Sequence, residues 1–189
     1  MIDYQILARS VDYYESCGFK RIESPWTVTK EISRITSQTN ATFFSIEEKN
    51  KVLVASGEQS FLYLYNKGFL PKGKFQTITP CFRDEPFDSL HTKYFIKNEL
   101  IKTDSTTDDD LRKVVDDAFK FYSKYVNGVS KLKVVKTGSL MFDIVYEDVE
   151  LGSYGIRQCD FLTWIYGTGV AEPRLSNTLL KYGIPHKEN

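Results

Sequence analysis

Residues 75–102 read FQTITPCFRDEPFDSLHTKYFIKNELIK. Two β-rich runs, Phe75 to Arg83 and Tyr94 to Lys102, flank the polar loop PFDSL, which is the pattern of an antiparallel pair. Side chains two apart on a strand share a face, so Arg83 points with Glu85, and Phe95 with Lys97 and Glu99. One face then carries a cation, acids and an aromatic ring. A guanidinium suits phosphate oxygens, an aromatic plane suits a base, and a carboxylate suits an exocyclic amine or a metal. Taken alone, these residues are better read as a solvated hairpin with cross-strand ion pairs.

Working outward, Ile6, Leu7, Val11 and Tyr14 recur at helical spacing between Ile2 and Cys17, with Gly18 as a terminator. FKRI, followed by Glu23-Ser24-Pro25, predicts a short strand ending where Pro25 removes a ladder donor. Residues 28–40 are polar and fit no single element. Phe43 to Ile46 and Val52 to Ala55 read as short strands, and Glu58 to Asn66 as a helix. Thr106-Thr107 ahead of Asp108, Asp109 and Asp110 is a helix start, because hydroxyl caps and carboxylates suit the positive end of the helix dipole. Strands follow near Leu132 to Val135, Met141 to Tyr146, Glu150 to Gln158 and Phe161 to Tyr166. A last helix runs from about Glu172 to Tyr182, with Gly183 past its end. The sum is an α+β domain, a mostly antiparallel sheet of six to seven strands flanked by helices.

The bulk composition agrees with one such domain across 1–189. Of 189 residues, 41% are hydrophobic, and 25 basic side chains balance 25 acidic ones. This is globular usage, without the broad positive field of non-specific nucleic-acid binding. Cys17, Cys81 and Cys159 are odd in number and lack metal-ligand spacing, which fits a reducing compartment. No apolar run is long enough for a signal peptide or membrane span, and a cytoplasmic location with no membrane partner is expected.

Two further segments hold chemically useful residues. In Val149-Glu150-Leu151-Gly152-Ser153-Tyr154-Gly155 an acid precedes a hydroxyl by three residues, and hard oxygen ligands of this kind suit Mg²⁺ on phosphates. A strand ending in a Gly-Ser turn has the same appearance. Gly167-Thr168-Gly169-Val170-Ala171-Glu172-Pro173-Arg174 reads as a glycine-rich turn entering a helix, with Arg174 in the first helical turn. It lacks the ending of a phosphate-binding P-loop.

Taken in order, these segments resemble the catalytic core of class II aminoacyl-tRNA synthetases. Gly18-Phe19 through Pro25 is similar to the family's first motif, which implies a homodimer interface at Gly18, Phe19 and Pro25. Phe82-Arg83-Asp84-Glu85 followed by His91, Phe95 and Glu99 at spacings of four matches the second. Gly167, Gly169, Ala171 and Arg174 match the third, with Ala171 where Gly is common and Pro173 where Glu is frequent. Ala55-Ser56-Gly57-Glu58-Gln59 resembles the amino-acid loop of the seryl, threonyl and prolyl enzymes, and Thr79 to Arg83 looks most like the seryl enzyme. The short PFDSL loop looks more like the lysyl or aspartyl enzymes.

The resemblance implies an ATP-dependent ligase that activates an amino acid as its adenylate and passes it to tRNA or another acceptor. Arg83 and Arg174 would be the catalytic cations. ATP would meet Arg83 at its α-phosphate, Glu85 on the adenine side, His91 at the terminal phosphates, Phe95 by stacking, and Arg174 with Gly169 from the far side. Glu58 and Ser56 would hold the amino acid, and Glu99, Glu150 and Ser153 would hold Mg²⁺. An anticodon-binding domain is not expected within these residues. The alternative is a synthetase paralogue that no longer catalyses and serves as an ATP- and amino-acid-binding or regulatory subunit, a reading the departures at Ala171 and Pro173 support.

Overall fold

The pair of strands around the PFDSL loop forms part of the middle of a seven-stranded sheet in this computed structural model, which describes residues 1–46, 50–84 and 93–185. In chain order the elements begin with α1 (Tyr4–Ser16), β1 (Lys20–Arg21), β2 (Thr27–Thr29), α2 (Lys30–Thr36), β3 (Lys51–Leu53) and α3 (Gly57–Asn66). They continue with β4 (Lys74–Phe82), β5 (Tyr94–Lys102), α4 (Asp108–Ser123), β6 (Leu132–Gly138), β7 (Met141–Tyr146), β8 (Val149–Cys159), β9 (Leu162–Glu172) and α5 (Arg174–Lys181). The spatial order of the large sheet is β1-β4-β5-β9-β8-β7-β6. The short β1 joins β4 in parallel and every other neighbour is antiparallel. Cys81 sits opposite Phe95 and Phe82 opposite Tyr94, the register expected of the pair.

Period-two alternation divides the buried side chains between two layers. Leu100, Ile144, Tyr154 and Ile165 face α1, α4 and α5, packing with Tyr14, Phe121, Tyr122 and Leu175. Their neighbours Ile101, Trp164 and Tyr166 face the other way, toward α2, α3 and the β2–β3 ribbon, packing with Val28, Ile32, Phe61 and Leu62. The α1, α4 and α5 layer is mostly apolar packing. The second layer covers only part of the sheet, and the uncovered part becomes the candidate site.

Local chemistry explains the helix starts. The Asp3 carboxylate accepts from the backbone N–H of Gln5 and Ile6 and so caps α1. At α4, Thr107 Oγ1 accepts from Asp110 N at 3.2 Å while Asp110 Oδ2 accepts from Thr107 N at 3.2 Å, a reciprocal capping box. The Asp triplet therefore serves the helix start. The stretch 28–40, which fits no single element in the sequence, holds most of β2 and all of α2, with Thr29 as the α2 cap. Of the run from Phe43 to Ile46 only Ser45 bridges β3, opposite Val52.

One expectation is corrected. The stretch from Gly167 to Ala171 is not a turn but the second half of β9, which continues to Glu172, and α5 starts only at Arg174. The pairing skips Gly169, since Glu99 lies opposite Thr168 and Asn98 opposite Val170. An extra residue of this kind is a β-bulge, which resets which side chains face which layer. A second shift occurs on β8, where Ile144 faces Gly152 and Val145 faces Glu150, so Leu151 is the extra residue. Among the described residues no helix is long and apolar enough to cross a membrane.

Candidate active site

A cavity of about 480 Å³ opens on the α3 side of the sheet, bounded by residues 36–43, the start of α3, and strands β4, β5, β8 and β9. Its position depends on how closely α3 approaches the sheet. A Cβ on Gly57 would stand 2.9 Å from Glu99 Cβ, closer than real side chains come, and a tight 3.1 Å from Thr79 Oγ1. Glycine at the first turn of α3 thus lets Ser56 and Glu58 reach the acids and cations on the strands.

The two bulges decide what else faces the cavity. Glu150 and Ser153 are three apart, and in a regular strand odd spacing would put them on opposite faces. With Leu151 as the extra residue, both line the cavity. With Gly169 as the extra residue on β9, Thr168 and Ala171 likewise both line it. Arg174 follows at the start of α5.

Glu58, Glu99 and Glu150, carboxylates that line the cavity, are each held by a cation. Glu99, 1% exposed, takes Lys97 Nζ at 2.9 Å on Oε1 and the Ser56 hydroxyl at 2.5 Å on Oε2. Ser56 Oγ also accepts from Glu58 N at 3.3 Å, capping α3. Glu58 is buried and takes Arg157 Nη1 at 2.5 Å on Oε2 and Trp164 Nε1 at 2.6 Å on Oε1. Burial pushes its carboxyl up from the ordinary value, against the opposing pull of Arg157. Glu150 Oε1 accepts from Arg174 Nη1 at 3.1 Å. Arg83 donates from Nε to the Ala55 carbonyl at 3.1 Å, and its guanidinium carbon stands 5.1 Å from the centre of the Phe95 ring. One wall is therefore Arg83 with Phe95, and the opposite wall is Arg174 with Glu150.

The structure brings Arg83, Phe95, Ser56, Glu58, Glu99, Glu150, Ser153 and Arg174 around this single cavity. Glu85 and His91 lie outside the described residues. Gly169 is set apart from the cavity: a Cβ there would stand 2.9 Å from the Tyr14 ring, and its carbonyl accepts from Tyr14 Oη at 2.9 Å, so it faces the α1 layer. Glu99, expected to hold the metal, has one partner on each oxygen, Lys97 on Oε1 and Ser56 on Oε2. Glu150 and Ser153 remain as oxygen donors, with Asp143 opposite Ser153 in the register and its carboxyl pushed up by burial. Among the described residues no three His, Cys, Asp or Glu side chains converge to hold an ion. A divalent ion here would need oxygens from a bound phosphate as well.

Of the expected interface residues, Phe19 is 1% exposed and packs edge-on to Tyr14 with Lys74 over its ring, so it belongs to the core. Gly18 is exposed in the turn after α1 at φ 88°, and Pro25 is half-buried beside the exposed Trp26. Sequence reasoning placed Lys97 on the correct face without a role and missed Arg157, Trp164, Tyr166 and Thr168. One signal was available for Arg157: it follows Ser153 at even spacing on the same strand, so the two share a face.

No protein-family model and no curated protein sequence matches the chain. Solved structures do match it in fold. It is similar to the pyrrolysyl-tRNA synthetase PylSc of Desulfitobacterium hafniense, with a TM-score of 0.74 at 16% identity, over 97% of this chain and 68% of that one. It is similar to Pyrococcus horikoshii seryl-tRNA synthetase complexed with ATP, with a TM-score of 0.70 at 13% identity, over 93% of this chain and 50% of that one. The cytoplasmic serine-tRNA ligase of Naegleria fowleri, in complex with AMP, gives 0.67 at 17% identity, over 95% and 48%. The chain spans about half the length of these seryl enzymes. Across nearly its whole length it has the fold of class II aminoacyl-tRNA synthetase catalytic domains.

Proposed function

We propose that the chain activates an amino acid with ATP, forming an aminoacyl-adenylate that is passed to tRNA or another acceptor. The observation that carries this reading is the convergence of Arg83, Phe95, Glu150, Ser153 and Arg174 around one cavity, from four separate stretches of sequence. Two structures with this fold are complexes with ATP and with AMP.

In the reaction, an oxygen of the amino-acid carboxylate bonds to the α-phosphorus in line as the bond to pyrophosphate breaks. Positioning and neutralisation of charge account for most of the catalysis, and no general base is required. Arg83 would bind the α-phosphate, Phe95 would support the base, and Arg174 would contact the nucleotide from the opposite wall. Glu150 and Ser153 would hold Mg²⁺, which when bound neutralises phosphate charge and orients the phosphates. Release of Arg174 from Glu150 would accompany that step. Ser56 and Glu58 would receive the amino acid beside the nucleotide. A homodimer through the segment around Gly18 and Pro25 belongs to the same proposal, and sedimentation at micromolar concentration tests it, a monomer refuting it.

The test of the reaction is exchange of labelled pyrophosphate into ATP across the twenty amino acids with Mg²⁺. Amino-acid-dependent exchange that is abolished by Arg83→Ala supports adenylation. Measurable ATP binding with no exchange for any amino acid would instead identify a binding or regulatory subunit.

A further inference from the structure

The end of the cavity formed by β8 and β9 carries donors that the reaction above does not use. Arg157 gives Nη1 to Glu58, while its side chain is 36% exposed at the cavity. The guanidinium carbon lies 4.1 Å from the centre of the Tyr166 ring. Tyr166 is 5% exposed, lines the cavity, and its hydroxyl has no hydrogen-bond partner among the described residues. Ser153 is near enough to act on the phenol's ionisation, but the pair does not reach hydrogen-bond geometry. The ring occupies the space opposite Gly155, where a Cβ would stand 2.8 Å from Tyr166 Oη, so glycine at 155 makes room for the phenol. A buried phenol left without a partner is unfavourable, and such a group calls for an explanation.

We infer that Arg157 and Tyr166 select an amino acid whose side chain ends in a carboxylate. The inference rests on the amino-acid activation reading and names the substrate class of that site. A guanidinium has only donors to offer and the phenol offers one, so the group that satisfies both is an acceptor, and a charged acceptor makes the stronger bonds. Charge balance gives the same answer. When a substrate ammonium takes Glu58, the half-buried Arg157 loses its carboxylate and is left with a positive charge to be balanced. A side-chain carboxylate in the same molecule replaces that partner, and every charge stays paired. Arg157 and Glu58 are in contact, so the two substrate groups that replace them must also lie close together. An amino acid with a short acidic side chain meets this requirement.

The experiment is pyrophosphate exchange by the full chain with aspartate, glutamate, asparagine, glutamine, serine and alanine, on the wild type, Tyr166→Phe and Arg157→Gln. The wild type is expected to give the highest kcat/KM with an acidic amino acid, about tenfold or more above its amide. Tyr166→Phe raises KM for the acidic amino acid about tenfold without changing KM for ATP or lowering the melting temperature. Arg157→Gln removes the preference for acid over amide. Should Arg157→Gln fail to fold, Tyr166→Phe decides, since it removes only an unpartnered hydroxyl. Best exchange with a neutral amino acid, or an unchanged KM in Tyr166→Phe, overturns this inference and leaves adenylation standing. No exchange with any of these six, nor with any other of the twenty amino acids in the screen described above, defeats the adenylation reading and this inference together.

Discussion

Glu172 is fully buried at the end of β9, two residues before Arg174, and its carboxylate accepts from Asp3 N at 3.2 Å and from Ser176 N and Oγ at 3.3 and 2.6 Å. Burial outweighs those hydrogen bonds and pushes the carboxyl from the ordinary 4.5 up to about 7. The folded protein therefore keeps this proton to higher pH than the unfolded chain does. Where the native state binds more protons, unfolding free energy falls as pH rises. The loss from Glu172 begins near pH 4.5 and is complete above about 7, and at about 1.4 kcal/mol per pH unit it amounts to about 3 kcal/mol. Glu172→Gln keeps the volume and one acceptor oxygen but does not titrate. Urea unfolding of wild type and variant from pH 5 to 8 isolates the effect, because contributions shared by both proteins cancel. The variant should match the wild type within about 1 kcal/mol at pH 5 and exceed it by about 3 kcal/mol at pH 8. A difference that stays flat across this window, or that changes in favour of the wild type, would refute the reasoning. Because α5 and Arg174 follow directly, ATP affinity is expected to fall as pH rises through about 7, where Glu172 ionises in the folded protein.

Further predictions concern the supports of the cavity. Gly57→Ala puts a Cβ against Glu99 and Thr79, so thermal unfolding should show a loss of about 1–3 kcal/mol together with weaker amino-acid binding. Asn98→Ala removes a buried amide that donates to Ser10 Oγ at 3.0 Å and Gln76 Oε1 at 2.9 Å, and urea unfolding should register about 2 kcal/mol. Glu150→Gln should lower exchange by about tenfold or more at limiting Mg²⁺, with partial recovery as Mg²⁺ is raised. Equal loss at every Mg²⁺ concentration would assign Glu150 to holding Arg174 alone.

The fold was legible wherever one local rule acted without competition. The β-rich runs on either side of the PFDSL loop identified β4 and β5, and the hydroxyl-acid pattern at Thr107 to Asp110 identified the α4 cap. The misreading of Gly167 to Ala171 has a physical cause. Glycines usually mark turns, but Gly169 is glycine because Tyr14 and Asn98 from other elements occupy the space of its side chain. Nothing within ten residues of it reports that contact. Residues 30–36 form a helix too short for a periodic signal, and its apolar face is essentially Ile32 packed in the α3-side layer.

The same distinction applies to the site. Arg83, Phe95 and Glu99 share one strand pair, so spacing put them together. Arg157 and Trp164 reach Glu58 from 99 and 106 residues away, and only the sheet order β5-β9-β8 makes them neighbours. Glu150 and Ser153 share the cavity only because of the bulge at Leu151, which a regular strand would not provide. Glu58 and Glu99 are each held by a cation and a second donor, partners that come from other elements and are not visible in the local sequence.

The central claim is that this cavity joins an amino acid to the α-phosphate of ATP. Incubation with ATP labelled at the α-phosphate, Mg²⁺ and a mixture of amino acids, followed by chromatography of the enzyme-bound nucleotide, tests it directly. A labelled aminoacyl-adenylate is expected on the wild type and none on Arg83→Ala. ATP retained on the wild type, with all of the label still in the triphosphate, would contradict it.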